Sequence, residues 1–198
     1  MSNKLEKLEE HVAKRVASEE IEFHKALVRE VFGKANPAFL EGLDFESLAA
    51  ILAGAVKFMD NKLPDEIKVR ATNPRYDADG WESNRTALEV SLSDRPFIVD
   101  SVIHELKRQG LDLQHYIHPI LNVSRDAKGR LARELVPDRG HPEVYELYLT
   151  RWPTLIPTIR WPIRFESVKT FSTGSRVITS SSWVIASMIS WTLPRDRP

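Results

Sequence analysis

The spacing of apolar residues changes once along the chain, at Pro64, and that change limits the fold more than any other feature. Before it, apolar residues recur every three or four positions. Leu5, Leu8, Val12, Val16, Phe23, Leu27 and Val31 mark one or two helices over 3–32, with a gap near Glu19-Glu20. Gly33 stops the run and Pro37 follows as a further stop signal. Asp44 is placed to cap a second helix over 45–60, whose apolar side carries Leu48, Ile51, Leu52, Ala55, Val56 and Met59. The polar faces are mixed in sign, which favours core or partner-packing helices over membrane-surface ones.

After Pro64 the period is two. Ile67, Val69 and Ala71 alternate with Lys68 and Arg70, giving a short strand. Asn73-Pro74 and Asp79-Gly80 bound a turn region. Leu88, Val90 and Leu92 then alternate with Ala87, Glu89 and Ser91 as a half-buried strand. Ser93-Asp94-Arg95-Pro96-Phe97 opens a helix, with Asp94 as N-cap and Pro96 in the first turn. Ile98, Val99, Val102, Ile103 and Leu106 form its buried stripe, and Gly110 ends it. Leu111, Leu113, His115, Ile117, Leu121 and Val123 lie on one face of an extended segment that is bulged or at an edge near Pro119. A hairpin turn at Arg125-Asp126-Ala127-Lys128-Gly129 leads to strands over 131–136 and 144–149. The order predicts an α+β sandwich with helices on one sheet face.

Composition narrows the chemistry. Of 198 residues none is Cys, which removes disulfides, thiolate metal sites and cysteine catalysis. No apolar segment follows the N-terminus, so a cytoplasmic location is expected. No G-x-G-x-x-G, P-loop or G-x-S-x-G pattern occurs, and no constellation meets the needs of catalysis. The expectation is therefore no catalytic, cofactor-binding or metal-binding residue. His115 and His118 are three apart in an alternating segment, hence on opposite faces and unsuited to share a metal. What remains is the helix start at 94–97. Backbone N–H groups there, with Arg95, suit a carboxylate or phosphate, although a plain strand-to-helix corner accounts for the same residues.

These residues carry a resemblance. Asp94-Arg95-Pro96-Phe97-Ile98-Val99-Asp100-Ser101-Val102 resembles the D-M-P-F-L-V-D-S-V signature of the large bacterial NAD-specific glutamate dehydrogenases, with Arg95 for the usual Met and Ile98 for Leu. Lys68-Val69-Arg70, Asn73-Pro74 and Asp79-Gly80-Trp81 resemble the approach to it. Arg108-Gln109-Gly110-Leu111-Asp112, His118-Pro119-Ile120-Leu121 and 125–130 match the blocks that follow, so the resemblance runs over roughly 20–152. It implies a helical segment over 1–63, then an ACT-like (ferredoxin-like β-α-β-β) domain over 64–151. It also implies a regulatory or oligomer-organising role without a catalytic core. In the parent reaction L-glutamate, NAD and water give 2-oxoglutarate, ammonia and NADH, with NAD a cofactor of the parent enzyme and not of this chain. The implied partners are the remainder of that enzyme or further copies of the chain, with no nucleic acid and no membrane. ACT-type modules commonly bind amino acids near the strand-to-helix loop, which makes Asp94, Arg95 and Phe97 the effector-binding candidates. A stand-alone amino-acid-sensing or dimerising module is the alternative.

The net charge of zero divides into −5 over 1–150 and +5 over 151–198. The last stretch also holds 4 of the 5 Trp, with 14 Ser and Thr and 5 of the 12 Pro, a Pro and Ser/Thr density that opposes helix formation. Its basic residues form no clustered stripe of the kind that binds nucleic acid. The family continues instead with a helix-forming stretch rich in Ala, Leu, Glu and Arg. Similarity, acidic residues and helical pattern are lost together, so 152–198 is read as an irregular, disordered tail translated in a shifted frame. A membrane tail is the competing reading, since 177–194 lacks charge, but five Ser and two Thr there disfavour insertion. Translating the encoding DNA in the other two frames is expected to recover an Ala/Leu/Glu/Arg-rich continuation, and its absence from both would refute the frameshift.

Overall fold

A computed structural model describes residues 2–63, 66–108, 110–135, 141–151 and 159–163. Four helices come first: α1 (Ser2–Ala13), α2 (Ile21–Phe32), α3 (Pro37–Glu41) and α4 (Phe45–Met59). The gap expected near Glu19-Glu20 is a 3-10 turn at Ser18–Glu20. Pro37 does not act as a stop. It begins α3, where a missing N–H costs nothing, and the Asn36 side chain accepts the Ala38 N–H at 2.9 Å. Asp44 caps α4 as expected, with Oδ1 accepting the Ser47 N–H at 2.7 Å, and this bond holds its carboxyl below the usual carboxylate range.

The remaining elements are β1 (Ile67–Thr72), α5 (Tyr76–Asp79), β2 (Thr86–Ser93), α6 (Ile98–Arg108), β3 (Asp112–Ile117), β4 (Ile120–Arg125), β5 (Leu131–Leu135), β6 (His141–Arg151) and β7 (Ile159–Ile163). They form one antiparallel sheet in the order β5-β4-β6-β2-β1-β7, with β3 also on β6. β3 and β4 lie end to end along the same edge of β6. Ile117 opposes Leu147 and Ile120 opposes Val144, so one register continues across Pro119. Proline has no N–H to donate, yet its carbonyl still accepts the Tyr145 N–H at 3.3 Å. The two form a single strand interrupted by one missing donor.

The α+β, ACT-like class holds, but helices cover both sheet faces rather than one. Along β2, Leu88, Val90 and Leu92 point to α6, where they join Ile67, Val69, Ala71, Ile98, Val102, Leu106, Val144 and Tyr148 in one core. Ala87 on the opposite face packs with Leu121, Val123, Tyr145, Leu147 and Leu149 beneath α1, α2 and α4. β2 is consequently buried on both faces, not half-buried, and Glu89 and Ser91 are buried with it. Leu8, Val28, Phe32, Leu48 and Ala55 are fully enclosed in the helical layer. Each fully buried large aliphatic contributes about 1.5–3 kcal/mol, so the lead helices and the sheet stabilise one another.

One expected face assignment changes. A bulge between Leu113 and His115 shifts the register by one, so Leu111 and Leu113 join the α6 core while Ile117, Leu121 and Val123 face the helical layer. The end of α6 follows the sequence. Gly110 at φ 75 sends its N–H to Lys107 O, and Leu111 N–H reaches Leu106 O, closing a Schellman motif.

Residues 159–163 depart from the expected irregular tail, pairing antiparallel with β1. Prolines bar a helix there but are tolerated in an edge strand, which suits Pro162. The other tail residues, including 177–194, lie outside the described residues. Among the described residues no helix is long and apolar enough to cross a membrane.

A buried charge cluster ties the helical layer to the β4–β5 hairpin. Lys62 Nζ lies 3.2 Å from Glu143, which also accepts two bonds from Arg125 at 2.8 and 2.9 Å. Arg125 donates further to Met59 O and Gly129 O. Gly129 has φ 79, and a Cβ there would lie 2.5 Å from Lys62 O. Gly129→Ala is expected to lower unfolding free energy by at least about 2 kcal/mol in urea titrations, from left-handed strain plus the clash. A change below about 0.5 kcal/mol would show that the hairpin does not dock this closely.

Candidate functional site

The residues singled out in the sequence, Asp94, Arg95 and Phe97, all sit at the corner between β2 and α6. Asp94 is not the helix cap. Its N–H bonds Pro142 O at 2.9 Å, extending the β2–β6 pairing by one residue and leaving the side chain too far upstream of the helix. Pro96 precedes the helix rather than lying in its first turn. α6 starts at Ile98, and the cap position is Phe97, whose carbonyl accepts the Ser101 N–H at 3.0 Å and the Ser101 hydroxyl at 2.6 Å.

Phe97 adopts φ 67 and is 65% exposed. A non-glycine residue in this region is strained by roughly 1–3 kcal/mol, and no burial of the ring offsets it. The N–H groups of Ile98, Val99 and Asp100 have no partner within the helix, so the positive end of α6 opens beside Asp94, Arg95 and Phe97. The corner can present donors to an anion.

On the same sheet face, a polar network runs along β6 and the interrupted strand. His118 Nδ1 lies 2.8 Å from Glu146 Oε1, and the Tyr148 hydroxyl donates to Glu146 Oε2 at 2.9 Å. Burial and the facing Glu146 carboxylate push the Tyr148 phenol far up, so it remains a donor. Tyr116 stacks on Tyr148 with centroids 6.2 Å apart and is half exposed, as is Ile120.

The opposite face holds a second network that periodicity alone had not singled out. Arg70 binds Glu89 through Nε and Nη2, both at 2.5 Å, and the Tyr145 hydroxyl donates to Glu89 at 3.0 Å. Burial raises the Glu89 pKa, with Arg70 opposing. Arg70 also lies over the Phe58 ring, 4.9 Å from its centroid. The available signal was Glu89 in the middle of an otherwise uncharged strand, with Arg70 on the preceding one; their direct pairing, Arg70 opposite Glu89, appears only in the register.

His115 and His118 do fall on opposite faces. His115 packs against Phe39 with centroids 5.7 Å apart, and its Nδ1 is buried without a hydrogen-bond partner among the described residues. Among the described residues no group of three or more His, Asp or Glu could hold a metal ion.

Two outcomes are expected here. Phe97→Gly removes the strained φ without loss of burial, so the protein should gain up to about 1 kcal/mol in denaturant unfolding. A loss of that size would show that the ring packs. His115 is lowered, first by desolvation and then by Arg85. A base whose folded pKa lies below its unfolded value gives stability that is present at high pH and lost as pH falls from about 6.5. His115→Gln should therefore flatten the Tm-versus-pH curve below about pH 6.5, and an unchanged slope would assign that limb to other groups.

The glutamate dehydrogenase ACT1 domain model matches residues 27–149. The NAD-specific glutamate dehydrogenase of Pseudomonas aeruginosa is 45% identical over 73 residues, 37% of this chain and 4% of that protein. That of Halomonas elongata is 40% identical over 84 residues, 42% of this chain and 5% of that protein. The matched stretch thus spans about a twentieth of these relatives. No solved structure matches the chain. With its family model covering well over half of its length, and a fold of lead helices and antiparallel sheet in agreement, the chain belongs to the glutamate dehydrogenase ACT1-domain family.

Proposed function

We propose that this chain is a regulatory or oligomer-organising segment of a NAD-specific glutamate dehydrogenase, and that residues outside it carry the chemistry. In that parent enzyme L-glutamate, NAD and water would give 2-oxoglutarate, ammonia and NADH, in the cytoplasm. The single observation that carries the reading is the family match over 27–149, which covers β1 to β5, most of β6 and the corner at 94–97.

The corner at 94–97 does not fit NAD. A dinucleotide pyrophosphate needs a strand-to-helix turn of glycines that lets backbone N–H groups close on it. Here the β2–α6 turn contains no glycine, Pro96 removes a donor, and Phe97 projects a ring at the helix entry. NAD is accordingly assigned to the parent enzyme alone.

The corner suits an α-amino-acid effector better. Its carboxylate would meet the N-terminus of α6 and Arg95, and its ammonium would meet Asp94. The expected partner is the remainder of the enzyme or a second copy of the chain.

The purified chain should show no NAD reduction with L-glutamate, and measurable turnover would overturn the non-catalytic reading. In calorimetric titrations an α-amino acid should bind, and Arg95→Ala should weaken it about tenfold. Equal affinity in the variant would remove the effector from the corner.

A further inference from the structure

A cavity of about 490 Å³ lies between α4 and the face of the sheet opposite α6, away from the corner at 94–97. That volume is within the range of small-molecule sites. Its floor is the Arg70–Glu89–Tyr145 network, in which the two charges and the phenol satisfy one another. The floor therefore brings no net charge, and the charges left for a ligand are at the rim.

Two rim groups stand out. Lys57, on the last turns of α4, has no hydrogen-bond or ion-pair partner among the described residues. Asp79, at the end of α5, accepts the Arg75 backbone N–H at 3.0 Å and keeps the rest of its carboxylate open. Their separation follows from the packing. A Cβ on Gly80 would lie 3.0 Å from the Ala50 Cβ, so the end of α5 is seated against Ala50. Lys57 is two helical turns further along, roughly 10 Å on the α4 axis. Between them the α4 wall is kept low by Ala53 and Gly54. Packing does not demand glycine at 54, since a Cβ there would meet nothing closer than Arg70 Nη2 at 4.0 Å. The glycine weakens the helix and leaves space. Trp81 and Leu147 supply apolar wall.

We propose that this cavity binds an extended zwitterion, a molecule whose carboxylate and ammonium are separated by a chain of several bonds. The carboxylate meets Lys57, the ammonium meets Asp79, and the linking chain lies over Gly54 against Trp81. An ω-amino acid and a short peptide share this chemistry. A free α-amino acid, with its charges on adjacent atoms, cannot reach both ends. The site is independent of the effector reading at the corner.

The test is calorimetry on the full chain with glycine, 4-aminobutyrate, 6-aminohexanoate, diglycine and triglycine. Affinity should rise with charge separation, 6-aminohexanoate or triglycine binding at least about tenfold tighter than glycine. The preferred member of that pair distinguishes an ω-amino acid from a peptide. N-acetylation or amidation of the tighter ligand should each cost about tenfold, as should Lys57→Ala and Asp79→Asn. Gly54→Ala should raise Tm while weakening binding, an opposite pair of shifts that a merely structural role would not give. No heat with any probe at about 10 mM, affinities independent of length, or binding unaffected by all three substitutions would overturn the assignment. Loss of affinity in Arg95→Ala alone would also overturn it, by moving the ligand to the corner.

Discussion

Everything in the fold is hung on β6. It pairs with β2 along one edge over Glu143 to Thr150 and with β4 and β3 in turn along the other. Its side chains alternate between two cores, Val144 and Tyr148 toward α6 and Tyr145, Leu147 and Leu149 toward the helical layer. A strand so placed cannot slip by one residue, because every side chain would change core. That demand explains how the interrupted strand is tolerated. Pro119 lacks a donor, but Tyr145 still bonds its carbonyl, so the register survives.

Charges are buried on both faces of the sheet at this strand. Glu143 is held by Lys62 and Arg125, Glu146 by His118 and Tyr148. Glu89, on the neighbouring β2, is held by Arg70 and the β6 residue Tyr145. Burying such groups costs desolvation that their partners only partly offset, so they specify an arrangement more than they stabilise it. The first fastens the hairpin to the end of α4. The second sits under the half-covered part of the α6 face. The third floors a cavity whose rim charges face solvent. The two candidate ligand sites therefore lie on opposite sides of one sheet.

The helices were legible in the sequence because a 3.6-residue period needs no distant partner, and Leu48, Ile51, Leu52 and Ala55 are buried as their spacing required. Asp44 and Gly110 were legible for the same reason, since caps are local chemistry. At Pro37 and Asp94 two local rules compete. A proline one residue past a cap starts a helix as readily as it stops one, and Asp94 caps only if the helix begins sooner than it does. The bulge at 114 and the buried Glu89 were not legible, because each is set by a residue far away in sequence. For Glu89 the pair was present, but only the β1–β2 register brings Arg70 onto it.

The claim that the lead helices and the ACT-like sheet form one cooperative body, on which both candidate sites depend, is tested most directly by native-state hydrogen exchange. The shared core requires the amides of α4 and β6 to exchange through the same largest opening, with the same free energy and denaturant dependence. If α1 to α4 exchange through a smaller separate opening while β6 stays protected, the two are independent units, and the single body is wrong.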